Sequence, residues 1–246
     1  MHRNLAGLTL ACALPWIGCQ AQQRTVPFVG CPADGQVGRI AAPKGAPRVL
    51  PIRNVPTGEI AYYKGESAPG VFAPSGWFCQ VSYGSSGGAV LVTPTPIDTT
   101  SWRLQTVLGP AVEMSLSYAG TSGRFSVAIH GAGLFPKRLS RFIANVRTDY
   151  VVPDSEFAPH RYSHDSVTLV DSLVAEFTTP SRESGLGTDG PLGPAMDPIR
   201  GVAAIAPDST EPDMTVLRIR LGANMRALEN LLLRLNKECM ETPDGC

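Results

Sequence analysis

Trp77-Phe78-Cys79-Gln80-Val81-Ser82-Tyr83-Gly84-Ser85-Ser86-Gly87-Gly88-Ala89-Val90-Leu91-Val92-Thr93 is the stretch whose reading decides the fold class. Trp77, Cys79, Val81 and Tyr83 alternate, which places them on one face of a strand. The Gly/Ser run 84–88 turns the chain, and Ala89–Thr93 returns as a second strand that ends at Pro94. An antiparallel hairpin therefore stands near the centre of the sequence.

Strand-like segments continue on both sides. Val49–Ile52 is a short strand candidate, and Glu59–Lys64 reads equally as a helical turn or a strand. Ala111–Tyr118 and Arg124–Ile129 alternate apolar and small polar residues and are expected to be half-buried strands. Val167–Val170 with Leu173–Thr178, and Gly201–Ala206 with Thr215–Leu221, supply two further pairs. Two amphipathic helices interrupt the strands. Leu139, Phe142, Ile143 and Val146 form one stripe after Pro136; Met225, Leu228, Leu232 and Leu235 form another, with Asn224 as its expected cap. The fold class is thus α+β, with a mainly antiparallel sheet and many loops.

Composition sets the boundaries. The 246 residues include 25 Gly and 22 Pro against only 17% charged residues, which suits a loop-rich globular chain rather than a disordered one. Acidic and basic residues balance at 21 each, so the chain lacks the basic excess that nucleic-acid binding requires. Lys137, Arg138, Arg141 and Arg147 lie off the apolar stripe of the first helix; they read as a solvated face, or as a surface for an anion or acidic partner.

The N-terminus directs the location. Arg3 precedes an apolar run from Leu5 to Gly18, and Cys19-Gln20-Ala21 offers small residues for cleavage. Residues 1–21 therefore read as a secretory signal peptide, 22–46 as an extended lead-in and 47–246 as one α+β domain. The expected location is the periplasm or the medium. The alternative is an outer-membrane lipoprotein anchored at Cys19. The apolar run is too short for a transmembrane segment, which needs about 20 residues. Outside the signal, Cys31, Cys79, Cys239 and Cys246 remain, an even number suited to an oxidising compartment. Cys239–Cys246 is the favoured short loop, leaving Cys31–Cys79.

Three motif fragments bear on chemistry. Gly84-Ser85-Ser86-Gly87-Gly88 contains G-x-S-x-G, which makes Ser86 a candidate nucleophile. A nucleophilic serine needs a base, here His130, His160 or His164, and an orienting acid such as Asp149 or Asp154. The competing reading is a simple hairpin turn. His160 and His164 are four apart, a metal-ligand spacing on a helix, but Arg161 stands where a metalloprotease has its glutamate. Gly185-Leu186-Gly187-Thr188-Asp189-Gly190 matches G-x-G-x-x-G without the preceding strand or following helix, so it reads as a flexible loop and no cofactor is expected.

The runs Gly70-Val71-Phe72-Ala73-Pro74-Ser75-Gly76-Trp77-Phe78-Cys79 and Tyr83-Gly84-Ser85-Ser86-Gly87 resemble a family of uncharacterised exported proteins of Gram-negative bacteria. Cys31-Pro32-Ala33-Asp34-Gly35-Gln36-Val37-Gly38, Glu183-Ser184-Gly185-Leu186-Gly187-Thr188 and Gly201-Val202-Ala203 fit it too. The resemblance implies export and a shared architecture, and transfers no activity or site. The function expected from the sequence is an exported, non-enzymatic protein that binds another protein or a small-molecule ligand. Its rivals are a serine hydrolase using Ser86, and an inhibitor or immunity-type protein that occludes an envelope enzyme through an exposed loop, Ser181–Pro198. N-terminal sequencing of the exported product is expected to begin at Gln22; an acylated Cys19 would establish the lipoprotein, and an intact Met1 would contradict both.

Overall fold

The computed structural model describes residues 24–52, 58–98, 105–149, 154–157, 162–207 and 210–241. In chain order the strands are β1 (Thr25–Val26), β2 (Phe28–Gly30), β3 (Ala33–Gly35), β4 (Arg48–Val49), β5 (Ile60–Lys64), β6 (Val71–Pro74), β7 (Phe78–Gly84), β8 (Gly87–Thr93) and β9 (Ala111–Ser117). Helices α1 (Arg124–Leu134) and α2 (Ser140–Asp149) follow. Then come β10 (Ser166–Leu169), β11 (Val174–Thr179), β12 (Ile199–Ile205), β13 (Met214–Arg220) and α3 (Arg226–Met240).

Eight strands form the central sheet, in the order β10-β11-β12-β13-β9-β8-β7-β3. Every neighbour pair is antiparallel except β3 with β7. The architecture is α+β with a mostly antiparallel sheet. Its founding hairpin is β7–β8, paired from Phe78↔Thr93 down to Gly84↔Gly87. Gly87 has φ +144°, and a Cβ there would lie 1.9 Å from the Leu116 carbonyl oxygen of β9. Only glycine permits that approach.

Both faces of the sheet are covered. On one, Val90, Val92, Val112, Met114, Val202, Leu217 and Ile219 pack against α3 and a three-stranded sheet, β2-β5-β6. Asn236 docks α3 there. It is fully buried; its Oδ1 accepts from Phe72 N at 2.8 Å and its Nδ2 donates to Phe72 O at 2.9 Å. One side chain thus satisfies a backbone donor and acceptor on β6, as a neighbouring strand would. On the opposite face, α1 and α2 cover Ala175, Phe177, Ala203, Ile205, Met214 and Val216.

The structure corrects several expectations. Arg124–Ile129 is not a strand but the first half of α1, which gives three α-helices among the described residues rather than two. The period-two pattern Phe125, Val127, Ile129 is outweighed by a second one: Val127, Ala128, Gly131 and Ala132 are buried at helical spacing. That small-residue face receives α2; a Cβ on Gly131 would lie 2.5 Å from Leu139 Cδ1. Asn224 does not cap α3 with its side chain. The chain enters through a 3₁₀ turn, Ala223–Met225, with Met225 N donating to Gly222 O at 2.8 Å. The segment 22–46 enters the sheets through β1, β2 and β3 where it is described. The expectations on the signal peptide and Cys19 lie outside the described residues.

The lead-in crosses between the two sheets at Cys31, and Cys31 is disulfide-bonded to Cys79 on β7, 48 residues away. A cross-link over that separation removes denatured-state entropy. Replacing both cysteines with alanine is expected to lower stability by about 4 kcal/mol in urea denaturation. A loss below about 1 kcal/mol would contradict this role.

Candidate functional site

The site is built on β13. Arg218 and Arg220 are two residues apart, so both side chains leave the same face of the sheet. Each is 1% exposed. A buried charge without partners costs several kcal/mol, so each guanidinium must be fully bonded.

Arg218 lies directly across from Glu113 on β9. Its Nη1 donates to Glu113 Oε2 at 2.9 Å and to Ser115 Oγ at 3.1 Å. The remaining donors reach the loop between β11 and β12: Nε to Leu186 O at 2.9 Å and Nη2 to Asp189 O at 3.0 Å. Arg220 donates to a backbone carbonyl from each of its three nitrogens. Its Nε bonds Gly109 O at 2.9 Å, Nη1 bonds Gly193 O at 2.6 Å and Nη2 bonds Val107 O at 2.5 Å.

These bonds correct the reading of Gly185–Gly190 as a flexible loop, while Ser181, Arg182, Ser184, Pro194 and Met196 of the longer Ser181–Pro198 segment are exposed. Leu186 is 1% exposed and Leu192 is fully buried. Leu186 N donates to Asp165 Oδ2 at 2.7 Å and Gly187 N to Thr179 Oγ1 at 2.8 Å. The G-x-G-x-x-G match is a 3₁₀ turn, Leu186–Thr188, set into the sheet face. Gly187 packs against Ile199, where a Cβ would come within 2.7 Å.

Asp189 closes the same turn and gathers a second polar cluster. His130 Nε2, on α1, donates to Asp189 Oδ2 at 3.0 Å, and Tyr162 Oη donates to the same oxygen at 2.5 Å. Burial pushes the Asp189 carboxyl up. The His130 hydrogen bond and charge, the Tyr162 hydroxyl and the Arg218 guanidinium outweigh it and hold the carboxyl well below its usual range. The cluster ties α1 and the turn before β10 to the loop.

Ser86 stands elsewhere. With Ser85 it forms the exposed turn between Gly84 and Gly87. Its carbonyl accepts from Tyr118 N at 3.0 Å. The start of α1 touches this turn, since a Cβ on Gly123 would lie 2.3 Å from Ser86 O. His130 is seven residues further along, about 10 Å at 1.5 Å per residue, and turns to Asp189. His164 is exposed and bonds Glu183 Oε2 through Nδ1 at 2.6 Å. Asp149 ends α2. Asp154 begins a 3₁₀ turn, and His160 lies outside the described residues. Among the described residues, no group of three or more His, Cys, Asp or Glu is placed to hold a metal ion, and no helix is long and apolar enough to cross a membrane. Cys239 is buried on α3 and disulfide-bonded; Cys246 lies outside the described residues.

An open cavity of about 340 Å³ is lined on one side by residues of α2 and the segment before it. Arg138, Arg141 and Asn145 line it above Leu139 and Phe142, with Ala206, Thr210 and Pro212 opposite. Sequence reasoning flagged these arginines but missed Arg218, Arg220, Glu113 and Asp189 as a network. Nothing local marks that network: Arg218 and Glu113 are 105 residues apart and meet only through strand pairing. No protein-family model matches the chain, and no curated protein matches it.

A carboxyl held low contributes stability above its unfolded value, near 3.9, and loses that contribution as pH falls toward its native value. Asp189→Asn is therefore expected to be less stable than the wild type at pH 7, with the gap narrowing at pH 3. Urea denaturation at both pH values decides this; an unchanged gap would contradict the assignment.

Proposed function

We propose that this chain is an exported, disulfide-bonded protein that binds a ligand rather than transforming one. The observation that carries the reading is the deployment of its reactive groups. His130 is committed to Asp189, His164 to Glu183, and Ser86 occupies an exposed turn about two helical turns from His130. Among the described residues no histidine is bonded to Ser86, and a serine hydroxyl without a positioned base is a poor nucleophile at neutral pH.

The Cys31–Cys79 disulfide supports an oxidising compartment. With the N-terminal pattern, it favours periplasmic or secreted placement and membership of the exported Gram-negative family that the sequence resembles. The cavity beside α2 supplies a concave surface with an apolar floor and polar rim, the form that small-ligand sites take.

A fluorophosphonate probe tests the reading. The mature protein is expected to remain unlabelled, and Ser86→Ala to leave its thermal melt unchanged. Stoichiometric labelling of the wild type that disappears in Ser86→Ala would replace this reading with the hydrolase.

A further inference from the structure

We infer that β10, the outer strand of the central sheet, pairs antiparallel with β10 of a second copy of this chain and joins two sheets into one. The inference goes beyond the ligand reading and does not depend on it.

Backbone hydrogen bonding decides which groups of β10 face outward. Val170 N donates to Val174 O at 2.9 Å where β10 turns into β11. Bonded positions alternate along an antiparallel pair, so Val170, Thr168 and Ser166 turn their N–H and C=O groups toward β11. Val167 and Leu169 turn theirs away from the sheet. Among the described residues no strand meets them. Such a row of backbone groups is a template for another strand. The opposite edge of the sheet is closed. Beyond β3, Ala33 N donates to Ile40 O at 3.0 Å and Ile40 N to Ala33 O at 2.8 Å.

The side chains of β10 suit a covered seam. Val167 and Leu169 lie opposite Phe177 and Ala175, on the face that α1 and α2 cover. Yet they are 39% and 57% exposed, and Val170 is 44% exposed. Edge strands of monomers are commonly blunted by lysine or proline, and Ser166-Val167-Thr168-Leu169 has neither. The flanking carboxylates are turned into their own chain. Asp165 accepts from Leu186 N at 2.7 Å, and Asp171 accepts from Leu173 N at 2.7 Å and Val174 N at 2.9 Å. The seam is therefore uncharged, and a chain with no net charge does not repel its copy.

Length and symmetry select a second copy as the occupant. β10 is four residues long, between a turn at 162–164 and the hairpin tip at Asp171, so the incoming strand must be equally short. A two-fold axis through Thr168 sets Val167 against Leu169 of the second copy, and Leu169 against its Val167, as hydrogen-bonded pairs. Every outward N–H and C=O on the two residues is then satisfied. Two Val–Leu contacts extend the α1–α2 face across the seam, and the two Thr168 side chains meet on the other face. A one-residue shift would set Val167 against Thr168, whose backbone groups already face β11.

Disulfide trapping in the mature full chain tests the register. On the axis the two Thr168 Cα atoms form a non-hydrogen-bonded pair about 4.5 Å apart, within reach of a disulfide. The two Ser166 positions are offset by about four residues, roughly 13 Å, which is beyond it. Under mild oxidation Thr168→Cys is expected to give a covalent dimer joined through the introduced thiols, located by peptide mapping, and Ser166→Cys to give none. Sedimentation of the unmodified chain is expected to show a dimer that grows with concentration. Val167→Lys, which places a charge against an apolar partner, should leave only monomer, with circular dichroism confirming its fold. The inference is overturned if the unmodified chain stays monomeric, if Val167→Lys dimerises as the wild type does, or if the two cysteine variants cross-link equally. A dimer that Thr168→Cys does not trap would place the interface elsewhere and overturn it too.

Discussion

Two guanidiniums leaving one face of a central strand cannot be buried without partners, and meeting that constraint organises this side of the protein. Arg218 and Arg220 together make seven hydrogen bonds, and five of the acceptors are backbone carbonyls in irregular segments. Those carbonyls belong to residues 107–109 and 186–193. The two segments meet each other only in the short bridge Val107↔Leu192, so the arginine side chains beneath them supply further donors to their carbonyls. The loop between β11 and β12 thereby becomes a layer of the structure. Leu192 joins Leu91, Ala111 and Ile199 in a small core of its own.

The buried ion pair within this arrangement is better understood as positioning than as net stabilisation. Removing two charges from water costs about as much as their attraction returns. What the Arg218–Glu113 pair achieves is direction: with Glu113 holding Nη1, Nε and Nη2 are aimed at Leu186 and Asp189. Asp189 is then presented to His130 and Tyr162, which fixes α1. Because α1 packs on α2, the position of the arginine-lined cleft traces back to the same strand. At the other end of the sheet the disulfide at Cys31 does comparable work for the lead-in, covalently.

The elements legible in the sequence were those whose burial follows a local period. The β7–β8 hairpin, β9, the β10–β13 strands and the apolar stripe of α2 all declare themselves by alternation or helical spacing. α1 did not, because its buried face is alanine and glycine, which carry little hydrophobic signal; Phe125 and Ile129 supplied a false alternation instead. Leu217-Arg218-Ile219-Arg220-Leu221 shows a subtler limit. Its pattern is that of a strand with one wet face, yet both faces are dry. Local pattern cannot distinguish an arginine in water from one beneath a loop. Asn236 is similar: a polar residue in an apolar stripe whose partner, Phe72, is 164 residues away. The candidate residues fared likewise. Arg138 and Arg141 were visible as charges off a stripe, whereas their meeting with Pro212 across a cleft required the tertiary fold.

Arg218 makes the glycine-rich loop part of the packed structure. Amide hydrogen exchange at Leu186 and Gly187, compared between the wild type and Arg218→Met, measures that directly. Both amides are bonded to side chains, Asp165 and Thr179, so exchange requires the loop to lift from the sheet. Slow exchange is expected in the wild type and fast exchange at these two amides in the variant, with β9 and β13 amides still protected. Equal protection of Leu186 and Gly187 in both proteins would contradict it.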